Sequence, residues 1–377
     1  MKKNLVVATL FAILLISVPI RADGDTDSAV SGTAFKDVKD SHWAKAQIAR
    51  AVEQGYVSGF PDGTFKPDQK VSRAEFIRML VDALKLPHVE QGKPWYQPYA
   101  ASLLEAGIHR ADEFKTGFDQ PLTRLEMVRL AVRSTDEELK GAGAKASDKQ
   151  LMYAATVKGI LHGMGKGELA PDGTSTRAQA VAVIERVLAL NSGKTLPADK
   201  NAIQHAAVEW KGNNIEEMWG AKPYDLPLKL DITKNLDITL DQVIVVDYDD
   251  PHSAYWDWFK HAVKENRKPI KDEYVVAFHF KIKNTILQKG LRNWLIGFTI
   301  SGPIGTVRTV VTEDYYDQTP IHVIPFVERD STKVYEGWYA ISMPKLMVEE
   351  KIKNYLPIDL HLLRFSDQKH FDIIPQS

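Results

Sequence analysis

The chain has 377 residues, 44% hydrophobic and 26% charged, the balance of a folded protein with room for two or three domains. Its formal net charge of -1 gives no support to broad nucleic-acid binding. It contains no cysteine, which excludes disulfides, thiolate metal sites and cysteine nucleophiles.

Residues 1–22 read as a signal peptide. Lys2 and Lys3 precede an apolar run from Leu5 to Ile20, and Ala22 is a suitable last residue before cleavage. An uncleaved membrane anchor is the alternative, although the run is short for a spanning helix. The expected mature protein is exported and makes no membrane contact. Asp23, Asp25 and Asp27 resemble the start of a calcium loop. Ser28 replaces the needed glycine and Ala34 the needed glutamate, so a solvated tail is expected.

From Phe35 to Leu190 the chain repeats itself. Gly55, Gly107 and Gly159 each close an apolar helical run, where a left-handed stop favours glycine. A loop follows, then a stretch written three times: Ser72-Arg73-Ala74-Glu75, Thr123-Arg124-Leu125-Glu126 and Thr176-Arg177-Ala178-Gln179. Each reads as a capping box opening an apolar helix. One such unit is too small to bury its apolar face, whereas three can do so around a shared axis.

Arg73, Arg124 and Arg177 fall at the first helical position, where helix polarity disfavours a cation by a few tenths of a kcal/mol. A rule broken three times in register suggests a task. A guanidinium beside free N–H groups suits a carboxylate or phosphate. An intrachain salt bridge to a neighbouring repeat's glutamate is the competing reading.

Residues 35–190 resemble three tandem S-layer homology repeats. The resemblance rests on Phe35-Lys36-Asp37-Val38, Trp43-Ala44, Gly55-Tyr56-Val57-Ser58-Gly59, Asp62-Gly63-Thr64-Phe65-Lys66-Pro67 and the three Thr-Arg-Ala-Glu-like signatures. It implies an all-α pseudo-threefold spindle with repeats at 35–86, 87–140 and 141–190. It also implies non-covalent anchoring to a secondary cell-wall polysaccharide bearing ketal-linked pyruvate. Carried over by position, Arg73, Arg124 and Arg177 would meet the anionic group. Trp43 and Trp95 would pack on sugar faces, with a core role as the alternative. Asp37 would accept sugar hydroxyls, and Gly59 and Gly163 would let backbone approach the ligand. Ser147 replaces the tryptophan in the third repeat and Ala111 the loop glycine in the second, so unequal grooves are expected. The groove using first-repeat residues ranks first. Gly163 to Gly167 lacks the lysine–hydroxyl ending of a phosphate loop.

Residues 191–204 are polar and turn-rich, as in a linker. No element is assigned to His205–Tyr224. From Leu226 onward, short runs of valine, isoleucine and aromatics predict strands at 228–232, 238–246, 274–282, 294–301, 307–312, 322–326, 337–341 and 358–365. Residues 205–377 therefore read as an antiparallel β-sandwich, immunoglobulin-like in outline, with a helical insertion over Pro251–Lys268. Recognised catalytic motifs are absent, and no cofactor or metal is expected. Two carboxylate clusters, Asp247–Asp250 and Glu313–Asp317, read as solvated loops, and His279 as structural. The leading function is a wall-anchored surface protein displaying a sandwich of structural or binding role, not an enzyme. A wall-anchored glycan hydrolase and a lattice-forming S-layer subunit are the alternatives.

Overall fold

The computed structural model describes residues 35–89, 93–114, 117–141, 143–233, 236–264, 266–285, 292–293, 298–301, 308–311, 327–328, 332–364 and 369–375. The expected leader, the Asp23–Asp27 run, the 322–326 strand and the Glu313–Asp317 cluster lie outside them.

Three helix–loop–helix units come first: α1 (Lys45–Glu53) and α2 (Arg73–Leu84), α3 (Gln97–Glu105) and α4 (Arg124–Arg133), α5 (Asp148–Val157) and α6 (Arg177–Asn191). The expected capping boxes form at Ser72–Glu75, Thr123–Glu126 and Thr176–Gln179. Ser147, noted above only for replacing a tryptophan, builds a further one with Gln150 at α5. Gly55, Gly107 and Gly159 take φ values of +78°, +71° and +69°, which is why glycine recurs there.

The units close on one another through a backbone ring just ahead of the capped helices. Val71 N–H donates to Ser175 O (3.0 Å), Leu122 N–H to Val71 O (2.9 Å) and Ser175 N–H to Leu122 O (2.9 Å). These residues are fully buried, so the ring satisfies groups that water cannot reach. Around it one core joins all three units, including Ile48, Phe65, Phe76, Leu103, Met127, Leu151 and Ile184.

Residues 191–204 hold more than a connection. α6 ends at Asn191 and α7 (Lys200–Lys211) begins soon after, followed by α8 (Ile215–Trp219). The apolar stripe of α7 is hard to read because it is divided between two cores. Ala202 and Ala206 pack with the repeats, and Val208 packs with the C-terminal region.

The C-terminal strands are β1 (Leu228–Thr233), β2 (Leu236–Asp247), β3 (Val263–Lys264), β4 (Glu273–Asn284), β5 (Arg292–Asn293), β6 (Phe298–Ser301), β7 (Arg308–Val311), β8 (Val327–Glu328), β9 (Val334–Pro344), β10 (His361–Arg364) and β11 (His370–Asp372). A six-stranded sheet runs β1-β2-β4-β9-β7-β3, beside a three-stranded sheet β11-β10-β6 and the pair β5-β8, all antiparallel. The alternation read from the sequence holds on β4. Val276, Phe278, Phe280 and Ile282 share one core, while Val275 and Ala277 share the other. A fully buried aromatic or aliphatic side chain of this kind contributes about 1.5–3 kcal/mol.

Helices take part on both faces, which a pure sandwich reading does not include. Ile215 and Trp219 of α8, Val348 of α10 (Lys345–Lys353) and Leu362 of β10 pack with the first core. Val208 of α7 and Phe259 pack with the second. The helical insertion expected over 251–268 shrinks to one turn, α9 (Trp256–Phe259), followed by β3. Where β2 runs on past Leu240, the last residue paired with β1, Asn214 stands in for a strand neighbour. Its amide donates to Val245 O (2.8 Å), and its carbonyl accepts from Val245 N–H (2.7 Å).

Candidate functional site

The three signature arginines leave their own helices and reach the next unit's loop in cyclic order. Arg177 donates from Nε to Phe65 O (3.1 Å) and from Nη2 to Ser58 O (3.1 Å). Arg124 repeats this with Leu169 O and His162 O (both 2.8 Å). Arg73 donates to Gly117 O (3.0 Å) and then grips Glu126 with Nε–Oε2 at 3.1 Å and Nη2–Oε1 at 2.6 Å. A cation at the first helical position is therefore tolerated because its charge sits on the neighbour's carbonyls, away from its own helix end.

This corrects the picture of three open cations. Arg73, Arg124 and Arg177 are 6%, 4% and 8% exposed. Arg73 is closed by Glu126, as the salt-bridge reading allowed, and is not the lead ligand group that the sequence ranking made it. Arg124 and Arg177 form no ion pair among the described residues, and the Arg177 guanidinium lies over the Phe60 and Phe65 rings, 5.1 and 4.8 Å from their centres. Burial pulls the Arg177 guanidinium below its usual pKa, with Glu75 and Asp37 acting in the opposite direction. Burial does the same to Arg124, helped by the nearby Arg186.

Arg177 lines an open cleft. That cleft, about 310 Å³, is bounded by Gly55, Tyr56, Ser58, Glu75, Arg78, Asp82, Trp95 and Arg177. It adjoins a second hollow of about 410 Å³ that shares Glu75 and Trp95 and adds Lys70, Tyr96 and Asp119. All three units contribute: the first its loop and α2, the second Trp95, the third Arg177. Trp95 is 49% exposed and lies between the hollows, so its ring can offer a flat apolar face beside buried positive charge. Such a surface suits a sugar carrying a carboxylate.

The other sequence candidates are placed differently. Trp43 is 58% exposed and stacks on His42, but lines neither hollow. Asp37 is used internally: its carboxylate accepts from Phe65 N–H (2.8 Å) and Lys66 N–H (2.7 Å), which fixes the first loop. Gly59 makes room for the Phe35 ring, 2.2 Å from where a Cβ would stand. Gly163 packs on Gly167 and donates its N–H to Asp199 Oδ2 (3.0 Å). The loop-glycine positions thus serve packing within the chain.

Sequence reasoning missed Lys70, Glu75 as a wall, Arg78 and Asp82. Spacing alone offered a signal, since Glu75, Arg78 and Asp82 recur every three to four residues on α2 and share a face.

In the C-terminal region, Asp247 and Asp249 both pair with Lys345. Asp249 also accepts from Asp272 N–H (3.0 Å) and Glu273 N–H (3.2 Å), so this cluster is a clasp and not a loose loop. His279 pairs with Asp241 (2.6 Å) and packs on Trp338. No group of three histidine or acidic side chains among the described residues can hold a metal, and no described helix is long and apolar enough to cross a membrane.

The fold and cleft define a helical-repeat module whose units are closed by a backbone ring and stapled by arginines. The S-layer homology domain model matches residues 34–77, so the chain carries a domain of that family at its first unit. A cellulosome-anchoring protein of Acetivibrio thermocellus is 35% identical over 171 residues, 42% of this chain and 37% of that protein. An amylopullulanase of Thermoanaerobacterium thermosulfurigenes is 30% identical over 176 residues, 41% of this chain and 9% of that enzyme. An S-layer protein of Bacillus thuringiensis subsp. finitimus is 28% identical over 178 residues, 42% of this chain and 22% of that protein. The chain thus matches well under two thirds of each relative.

Proposed function

We propose that this is an exported cell-surface protein whose three units form one S-layer homology spindle. The spindle holds the protein to an anionic secondary cell-wall polysaccharide, with ketal-linked pyruvate as the recognised group. The observation that carries this reading is one open cleft lined by both Trp95 and Arg177, an aromatic face beside a cation that forms no ion pair among the described residues. The similarity to a cellulosome-anchoring protein and to S-layer proteins supports it. The C-terminal region is read as a β-sandwich, immunoglobulin-like in outline, displayed for a structural or binding role and not catalysis. The packing of Leu362 from the small sheet onto the core of the large one supports two facing sheets. The use of Asp247 and Asp249 in a clasp with Lys345 supports display over acid–base chemistry.

Co-sedimentation of the chain lacking residues 1–22 with purified wall sacculi tests the proposal. Retention is expected on untreated walls and loss of retention after mild acid removes the ketal pyruvate. Equal retention on treated walls rejects the carboxylate reading.

A further inference from the structure

The cleft beside the first unit has a counterpart at the third, because Gly55, Ser58 and Phe65 repeat as Gly159, His162 and Leu169 at one constant spacing. The two are not equally open. Gly55 is exposed, with nothing within 4 Å of where a Cβ would stand. Gly159 is buried, with Pro197 O at 2.8 Å and Leu196 Cβ at 2.9 Å from the same point. His162 Nε2 lies 3.2 Å from Pro197 O, and Asp199 takes the Gly163 N–H. A Cβ at Gly167 would stand 2.3 Å from the Asn201 backbone, so α7 starts against the loop with no space for a side chain between them.

The C-terminal region holds this segment in place. Lys166 pairs with Asp257 (2.6 Å), and Asn201 donates to His252 O (2.6 Å). His205 packs on Tyr255 with ring centres 4.2 Å apart. Since α7 belongs to two cores at once, moving it away disrupts both.

We propose that the chain has closed its third-unit cleft with its own residues 196–201, so that an anionic glycan binds at the Arg177–Trp95 cleft and not at its third-unit counterpart. The glycan half of this statement rests on the anchoring function proposed above; the closure half rests on packing alone. Asp199, a carboxylate on the loop N–H of the third unit, holds a position that an incoming anion would need.

Because the chain has no cysteine, single thiols report each cleft cleanly. Ser58→Cys and His162→Cys occupy corresponding positions, and each maleimide rate is normalised to the same variant unfolded in urea. The His162→Cys rate is expected to be lower by roughly tenfold or more, because labelling there needs a local opening. Adding Leu196→Gly, which removes a partly buried side chain outside the hydrophobic cores, is expected to raise it. Equal rates for the two thiols, or no response to Leu196→Gly, overturn the closure. In parallel, the chain lacking residues 1–22 is titrated with a ketal-pyruvylated hexose glycoside. One equivalent bound supports the inference, and two or three overturn it. No binding with unequal labelling rejects the anchoring function while upholding the closure.

Discussion

Arg73 and Glu126 meet as a two-pronged pair across the boundary between the first and second units, and Glu126 is also the capping residue of α4. One carboxylate oxygen, Oε2, thereby serves a helix start and a neighbour's guanidinium together. The pair is nearly sealed from water, with side chains 7% and 10% exposed. Removing one partner strands the other's charge in a poorly solvated site.

Arg73→Ala is therefore expected to destabilise the repeat region by about 3–5 kcal/mol, the usual cost of breaking a buried pair. Urea unfolding measures it. The Arg73→Ala/Glu126→Ala double variant should lose less than the sum of the singles. Additive losses would show that the two groups act independently.

Ser175 occupies the ring position held by Val71 and Leu122 in the other units. It is fully buried, and its hydroxyl finds no hydrogen-bond partner among the described residues. Ser175→Ala removes that group and creates no overpacking, so a gain of about 1 kcal/mol in unfolding free energy is expected. A loss would mean that the hydroxyl is satisfied in solution.

Glu113 lies among His109, Arg133 and the Arg110 N–H. Burial pushes its pKa up, but the His109 and Arg133 contacts outweigh this and hold it below its ordinary value near 4.5. Since the unfolded chain binds the proton more readily, this carboxylate stabilises the fold above about pH 4.5, and its contribution falls as acid protonates the folded form. Glu113→Gln should thus be clearly less stable than the native chain at pH 7. Thermal unfolding across pH should show that gap narrowing below pH 4.5. A constant gap would assign the effect to shape and not charge.

Trp95 is half-exposed, so Trp95→Ala should leave the melting temperature nearly unchanged. Wall affinity should fall by roughly tenfold, an aromatic contact being worth about 0.5–1.5 kcal/mol beyond the area it covers. Trp43→Ala, outside both hollows, should bind as the native chain does. The reverse order of effects would move the site to the first unit's own tryptophan.

What short-range chemistry controls was legible in the residues alone. Hydroxyl and carboxylate or amide three residues apart capped their helices as written, and the recurring glycines took their left-handed stops. The alternation on β4 named which residues face each core. These are local matters, settled by the chain's own neighbours in sequence. The remaining features depend on contacts between units. No local rule tells that Arg73 finds Glu126 while Arg177 faces a cleft, because the partner arrives from another unit. Nor does any local rule show that α7 serves two cores, or that residues 196–201 cover one loop and leave its counterpart bare. The physical reason is that exposure and charge compensation depend on what packs against a residue, and packing brings together groups that the sequence keeps far apart.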